Sequence, residues 1–237
     1  MFVVVVRGWN CAKYLQRCVD SLFEQSNPDW RAHIILDPGQ DGSENIALAM
    51  ATGNPSKIGV VINSRREGVG RNIYHGVSQA KPGPEDIVCI LDADDWLYPC
   101  ALEVVAHTYF KKKCLATYGS FELESSMEKS SICKPYGRHD APRSSKWRAS
   151  HLKTFKGKVF DHIPPEYLQH NGMWVTHASD LALMIAVMEV AGIDRCQHIP
   201  RVLYHYRNVT PYTQDRAMQK KYDKIVRAKK PLHRVEF

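Results

Sequence analysis

Four apolar runs in the N-terminal part of the chain each end in a polar cluster, and this pattern limits the fold more than any other feature. Phe2–Val6 runs into Arg7–Asn10, and His33–Leu36 into Asp37–Ser43. Ile58–Ile62 runs into Asn63–Arg71, and Ile87–Leu91 into Asp92, Asp94 and Asp95. Each run is short and rich in β-branched residues, which reads as a strand. Between them lie segments with helical spacing. Ala12, Tyr14, Leu15, Cys18, Val19, Leu22 and Phe23 form an apolar stripe, entered past Asn10 as a cap and closed by Asn27-Pro28. Glu44–Ala51 and Gly68–Ala80 follow as further helices. The order β-α-β-α-β-α-β calls for an α/β fold with a mostly parallel sheet and helices on both faces. Ligands of such sheets bind beyond the carboxyl ends of the strands. The four polar clusters should therefore meet at one sheet edge.

The second half is less regular. A helix is expected over Leu102–Phe110 and a strand over 115–121. Residues 124–172 are rich in Ser, Lys, Arg and His. Asp180–Ala191 reads as a helix with Leu181, Met184, Ile185 and Met188 on one face. Ile199–Tyr206 reads as a last core strand, and 212–237 as a basic helix and tail. No internal repeat is visible.

With 237 residues, 44% apolar and 24% charged, the chain has the composition of a folded globular protein. The formal charge of +7 favours acidic partners such as phosphates, nucleotides, nucleic acid or anionic lipid, and equally describes a solvated basic surface. The run Phe2–Val6 is far short of the roughly 20 residues that cross a bilayer. Arg7, Gly8 and Asn10 interrupt it too early for a signal peptide. The seven cysteines are odd in number and include no Cys-x-x-Cys pair, which argues against a disulfide framework or zinc knuckle. A cytoplasmic protein of a reducing compartment, without a transmembrane segment, is expected.

The chemistry concentrates in DIVCILDADDWLYP. Asp92 and Asp94 share a face if the strand continues through them. Two carboxylates facing one way can hold a hard divalent ion, Mn2+ or Mg2+, that neutralises a diphosphate and acts as a Lewis acid on a phosphate leaving group. The same residues also fit an acidic turn that caps the helix beginning near Pro99.

In order and spacing, several stretches together resemble the family-2 glycosyltransferases of GT-A fold. VVVRGWNCAKYLQRCVDSLFEQS is similar to the family's opening strand, turn and first helix. ILDPGQDGSENI is similar to its Asp-Asp-Gly-Ser loop, and NSRREGVGRNIYHGVSQA to its Ala-Arg-Asn segment. ILDADDWLYPCALE is similar to its Asp-x-Asp metal motif. ASDLALMIAVMEVAG and VLYHYR are similar to its acceptor-side helix and last core strand. The resemblance spans roughly residues 2–208.

The resemblance implies a GT-A domain over 1–237. Its halves would be about 1–100 for the nucleotide-sugar and about 101–210 for the acceptor, with a basic tail over 211–237. It implies metal-dependent, inverting transfer of a sugar from a nucleotide-diphosphate donor, UDP-linked in this reading. The acceptor would be a hydroxyl on a glycan, lipid-linked or protein molecule. Asp92 and Asp94 would hold metal and ribose, with Asp95 touching the metal or orienting the turn. His205 is a further metal candidate. Arg7, Asp37, Arg71 and Asp92 form the expected donor-binding set, with Arg65 and Arg66 as alternative phosphate partners. Pro38 departs from the family pattern where a second aspartate is usual, so either Asp37 takes over the base contact or base recognition is looser. Asp180 would be the catalytic base that deprotonates the acceptor, with Glu189 as the alternative. Asp180 equally fits a helix N-cap.

Trp147, Trp174 and His177 are acceptor-pocket candidates. The basic, aromatic stretch KWRASHLKTFKGKVF (146–160) would form a flexible lid near the acceptor. It lacks any recognisable nucleic-acid module, and no nucleic-acid partner is expected. Gly-x-Gly-x-x-Gly and Gly-x-x-x-x-Gly-Lys-Ser/Thr are absent, which removes a Rossmann dehydrogenase and a P-loop NTPase. A nucleotidyltransferase, or an inactive carbohydrate- or nucleic-acid-binding module, remains as the alternative.

Overall fold

A computed structural model describes residues 1–124, 133–207 and 215–237. The strands are β1 (Phe2–Gly8), β2 (Trp30–Leu36), β3 (Ile58–Ile62), β4 (Ile87–Asp92), β5 (Trp96–Leu97), β6 (Ala116–Leu123), β7 (Ser150–Lys156), β8 (Gln169–His170), β9 (Met173–Trp174) and β10 (Cys196–Tyr206). The helices are α1 (Ala12–Phe23), α2 (Ser43–Gly53), α3 (Val69–Ala80), α4 (Ala101–Lys112), α5 (Gly157–Phe160), α6 (Ser179–Ala191) and α7 (Arg216–Arg227).

One eight-stranded sheet, in the order β3-β2-β1-β4-β7-β6-β10-β5, runs through both halves. Strands β3, β2, β1 and β4 are mutually parallel, as the alternation requires. Only β7 and β5 run against the rest. Alternate residues of β1 feed two cores. Val3 and Val5 pack with α3 and α6, while Phe2, Val4 and Val6 pack with α1, α2 and α4. A strand covered on both faces needs an unbroken apolar run, and FVVVV supplies it.

Three expectations change. First, the 146–160 stretch is not a lid. Its residues 150–156 form β7, buried in the middle of the sheet between β4 and β6. The strand is covered on both faces: Leu152 joins one core and Phe155 the other, and Lys153, paired with Ile90, shares the Phe155 side. Second, α6 is buried around nearly its whole circumference, including Leu183, Ala186, Val187 and Val190. The residues after α7 cover its outer side: Val235 N–H donates to Val190 C=O at 3.0 Å, and Leu232 N–H to Glu189 at 3.0 Å. Third, Asn10 does not cap α1. The first amides of that helix are met from the β2–α2 loop, Cys11 by Ser43 Oγ at 2.9 Å and Ala12 by Asp41 at 2.8 Å. Asn10 instead accepts from Gln40 N–H at 3.2 Å.

The basic C-terminal helix is present as α7, while residues 211–214 of the expected tail lie outside the described residues. Among the described residues no disulfide forms, and no helix is long and apolar enough to cross a membrane.

Candidate active site

The site grows from the carboxyl ends of β1 and β4. Gly8 closes β1 beside Ala93, and Ala93 N–H donates to Arg7 C=O at 2.9 Å. A β-carbon on Gly8 would lie 2.6 Å from Ala93 Cβ and 2.7 Å from Cys11 Sγ, so only glycine lets the two strand ends meet. Asp92 and Asp94 then stand at the mouth with side chains 19% and 31% exposed.

Asp180 reaches the same mouth from the first turn of α6. Arg7 Nη2 lies 2.7 Å from Asp92 Oδ1 and 3.2 Å from Asp180 Oδ1. The Asp92 contact is close but not aligned as a hydrogen bond. Lys153 Nζ donates to Asp180 Oδ2 at 2.7 Å. Asp95 is buried at 1% exposure, accepting from Tyr204 OH at 2.6 Å and from Arg207 N–H at 2.9 Å. Arg207 lies flat on the Tyr14 ring, 3.4 Å from its centroid, with Nη2 at 3.3 Å from Asp94. Four carboxylates thus share three cations.

The electrostatics follow from that imbalance. Burial pushes the Asp92 carboxyl up to about 6, Arg7 opposes this, and Asp180 and Asp94 add to the rise. Burial, with Asp92 and Asp94, also drives Asp95 well above the ordinary range. Asp180 goes the other way. Burial would raise it, but Lys153 and Arg7 together outweigh burial and hold it below the usual carboxylate range. His151 is driven well below its ordinary value by burial and by Lys153. Its ring stacks on Tyr204 at 4.3 Å, a packed position that favours the neutral form.

The structure brings together Arg7, Asp92, Asp94, Asp95 and Asp180, as expected. It treats the other candidates differently. Asp37 turns inward at 2% exposure and accepts from Asn63 Nδ2 at 2.8 Å, Glu67 N–H at 3.0 Å and Gly68 N–H at 2.8 Å. It pins the loop between β3 and α3. Arg71 and Arg65 both reach Glu67, at 3.4 and 3.0 Å, and Arg66 sits 3.6 Å over the Trp9 ring. His205 does not meet the carboxylates. Side chains alternate along β10, so Tyr204 faces the aspartates while His205 stacks on Tyr98 at 4.1 Å.

Glu189 is closed off by Arg143, at 2.5 and 2.9 Å, on the far end of α6. Trp174 packs on Tyr74 and His75, His177 stacks on Tyr222 of α7, and Trp147 leans on the core. Sequence reasoning missed Lys153, His151, Tyr204 and Arg207. No local pattern marks Lys153: in SHLKTFK the two apolar residues, Leu152 and Phe155, fall on opposite faces of a strand.

An oxygen-only donor pair fits a hard divalent ion. Asp92 Oδ1 lacks an aligned donor and Asp94 is partly open, so both suit such an ion. Among the described residues no group of three or more His, Cys, Asp or Glu side chains forms a metal cage. The ion would therefore need the oxygens of a substrate or water to complete its shell.

Known proteins resemble this chain in sequence and fold. The chain is 23% identical over 205 residues to chondroitin synthase of Pasteurella multocida (strain Pm70), and equally to hyaluronan synthase of Pasteurella multocida. Each alignment takes in 85% of this chain and 20% of the relative, so the chain spans about a fifth of the length of these curated relatives. S. aureus TarS 1–349 in complex with UDP superposes with a TM-score of 0.67 at 17% identity, over 90% of this chain and 61% of that one. Mannosyltransferase PcManGT from Pyrobaculum calidifontis, in complex with GDP-Man and Mn2+, gives 0.65 at 17% identity, over 97% and 65%. These likenesses show the GT-A fold. The family model "Glycosyl transferase family 2" matches residues 3–163, from the first strand through the acidic cluster and the buried β7. With the fold, the strand-end carboxylates and this match in agreement, the chain belongs to glycosyl transferase family 2.

Proposed function

We propose that the chain transfers a sugar, with inversion, from a nucleotide-diphosphate donor to a hydroxyl acceptor, and that the donor is UDP-linked. One observation carries the reading: a single nitrogen, Arg7 Nη2, bridges Asp92 at the end of β4 and Asp180 at the start of α6. Donor-side and acceptor-side carboxylates thus face one opening. Relatives named as chondroitin and hyaluronan synthases, and a neighbour bound to UDP, support a UDP-sugar and a glycan acceptor.

Asp92 and Asp94 would hold Mn2+ or Mg2+, consistent with the Mn2+ in the mannosyltransferase neighbour. When bound, the ion supplies charge neutralisation for the departing diphosphate. Asp180, favoured as the carboxylate by Lys153 and Arg7 and 31% exposed, is open to an incoming hydroxyl and takes its proton. Asp37 serves the donor site by holding the loop that carries Arg65 and Arg66 and leads into α3, where Arg71 lies. His205 lies on the other side of β10, so the metal reading rests on the two aspartates.

The test is release of nucleoside diphosphate from a panel of UDP- and GDP-sugars with hydroxyl acceptors, with and without Mn2+. Turnover with a UDP-sugar, abolished in Asp94→Ala and in Asp180→Asn, is expected. Absence of transfer from every donor would overturn the function. Full activity of Asp94→Ala would remove the metal assignment.

A further inference from the structure

Lys153 lies in the interior of the sheet. It sits on β7 opposite Ile90 of β4, and its side chain is 2% exposed. Ile90 and Asp92 share a face of β4, so a lysine rising along that face from Ile90 arrives at the level of the Asp92 carboxylate. There its Nζ meets Asp180 Oδ2 at 2.7 Å, with the His151 ring nitrogens at 3.2 and 3.4 Å. The neutral imidazole can accept from the ammonium, so Lys153 has partners on two sides.

Burying an ammonium is costly, and an apolar side chain of the same length would fill the slot at lower cost. A purely structural pair would be closed at both ends, as Arg143–Glu189 is, at 11% and 8% exposure. Lys153–Asp180 is closed at one end and open at the other, 2% against 31%. The buried cation thus holds a carboxylate whose remaining lone pairs face the mouth. Arg7 from β1 takes Oδ1 and Lys153 from β7 takes Oδ2, so the two strands fix the plane of the carboxylate.

We propose that Lys153 is the positioning residue of the acceptor base, fixing the Asp180 carboxylate from inside the sheet so that it points at the acceptor hydroxyl. This rests on the reading of Asp180 as base. Around that carboxylate stand Arg7 of β1, Asp92 of β4 and Asp94 after it, His151 and Lys153 of β7, and Tyr206 of β10. With Lys153 gone, the largest opposition to burial is lost, Arg7 and His151 remain, and Asp180 binds a proton at higher pH.

The experiment compares the full chain with Lys153→Met and Lys153→Arg, reading kcat and donor KM against pH, UDP affinity, and the carbon-13 titration of the Asp180 carboxyl. Lys153→Met should bind UDP as wild type and lose at least about tenfold in kcat at neutral pH, because the base is no longer held in place. The acid limb of its pH profile and its Asp180 titration should rise by about one pH unit or more. Lys153→Arg should recover most of the rate.

Wild-type kcat and titration in Lys153→Met would overturn the proposal. So would a loss of turnover matched by an equal loss of UDP affinity, which marks a structural role only. If Lys153→Met does not fold, Lys153→Arg is set against Lys153→Gln. A rate that follows the charge supports the proposal, and equal impairment of both overturns it. If the wild type transfers no sugar from any donor, the functional reading fails. The carboxyl titration still decides whether Lys153 controls Asp180.

Discussion

Arg7 Nη2 lies 3.2 Å from Asp180 Oδ1, although 173 positions separate the two residues. The guanidinium also touches Asp92, so it joins the first strand, the acidic strand end and α6 through one group. Its side chain is 11% exposed. Replacing it by methionine leaves two carboxylates facing each other without a cation between them. Arg7→Met is expected to lose about 3–5 kcal/mol of stability at neutral pH, as removal of one partner of a buried ion pair does. Urea unfolding measures this. Millimolar Mn2+ should restore more stability to the variant than to the wild type. A variant as stable as wild type would mean that Asp92 and Asp180 do not depend on Arg7.

His151 gives a pH-dependent prediction. Its folded-state value lies well below the ordinary 6.5, first through burial and then through Lys153. The unfolded chain therefore binds a proton that the folded chain refuses. Stability contributed by the neutral ring is complete above about pH 6.5 and declines as pH falls towards the folded value. His33, His75, His198 and His205 are lowered by burial and add in the same direction. His151→Phe keeps a ring on Tyr204 and removes this one proton. Below pH 6.5 its stability should fall less steeply than that of wild type, by up to about 1.4 kcal/mol per pH unit. Parallel stability curves for the two proteins would show that His151 is protonated in the fold.

Gly8 tests the meeting of β1 with the acidic loop. A methyl there would sit 2.6 Å from Ala93 Cβ. Gly8→Ala should cost about 1–3 kcal/mol through overpacking. By displacing the loop that carries Asp92 and Asp94, it should also weaken UDP binding. Calorimetric unfolding and UDP titration measure the two effects. Unchanged values in both would mean that the loop yields without consequence.

Glu189 and Asp180 occupy opposite ends of α6 and should separate cleanly. Glu189 is 8% exposed, paired twice with Arg143, and accepts from Leu232 N–H at 3.0 Å. Glu189→Gln should lose about 3–5 kcal/mol of stability, because Arg143 is left buried and uncompensated. It should keep kcat below its unfolding temperature. Asp180→Asn should do the reverse, remaining folded and UDP-binding without turnover. Turnover retained in Asp180→Asn and lost in folded Glu189→Gln would exchange the two roles.

Local patterns determined much of this protein. The runs FVVVV, HIIL, IGVVI and IVCIL, separated by helical spacing, fix the parallel β1–β4 layer and the edge where its loops gather. Asp92 and Asp94 are legible because they follow a buried strand, and Asp180 because it opens an apolar helix. What remained hidden depends on contacts between distant segments. Lys153 reads as a surface charge until Asp180, 27 positions away, gives the ammonium a partner that permits burial. Asp37 reads as a ligand-facing loop residue until the 63–68 loop folds over it with three donors. His205 is turned from the carboxylates by its position in the alternation of β10, and which side of that strand faces the site depends on the neighbours it pairs with. Sequence period sets which side chains share a face. Tertiary pairing alone decides what each face meets, because a charge is stable inside the fold only where a distant segment supplies its counter-charge.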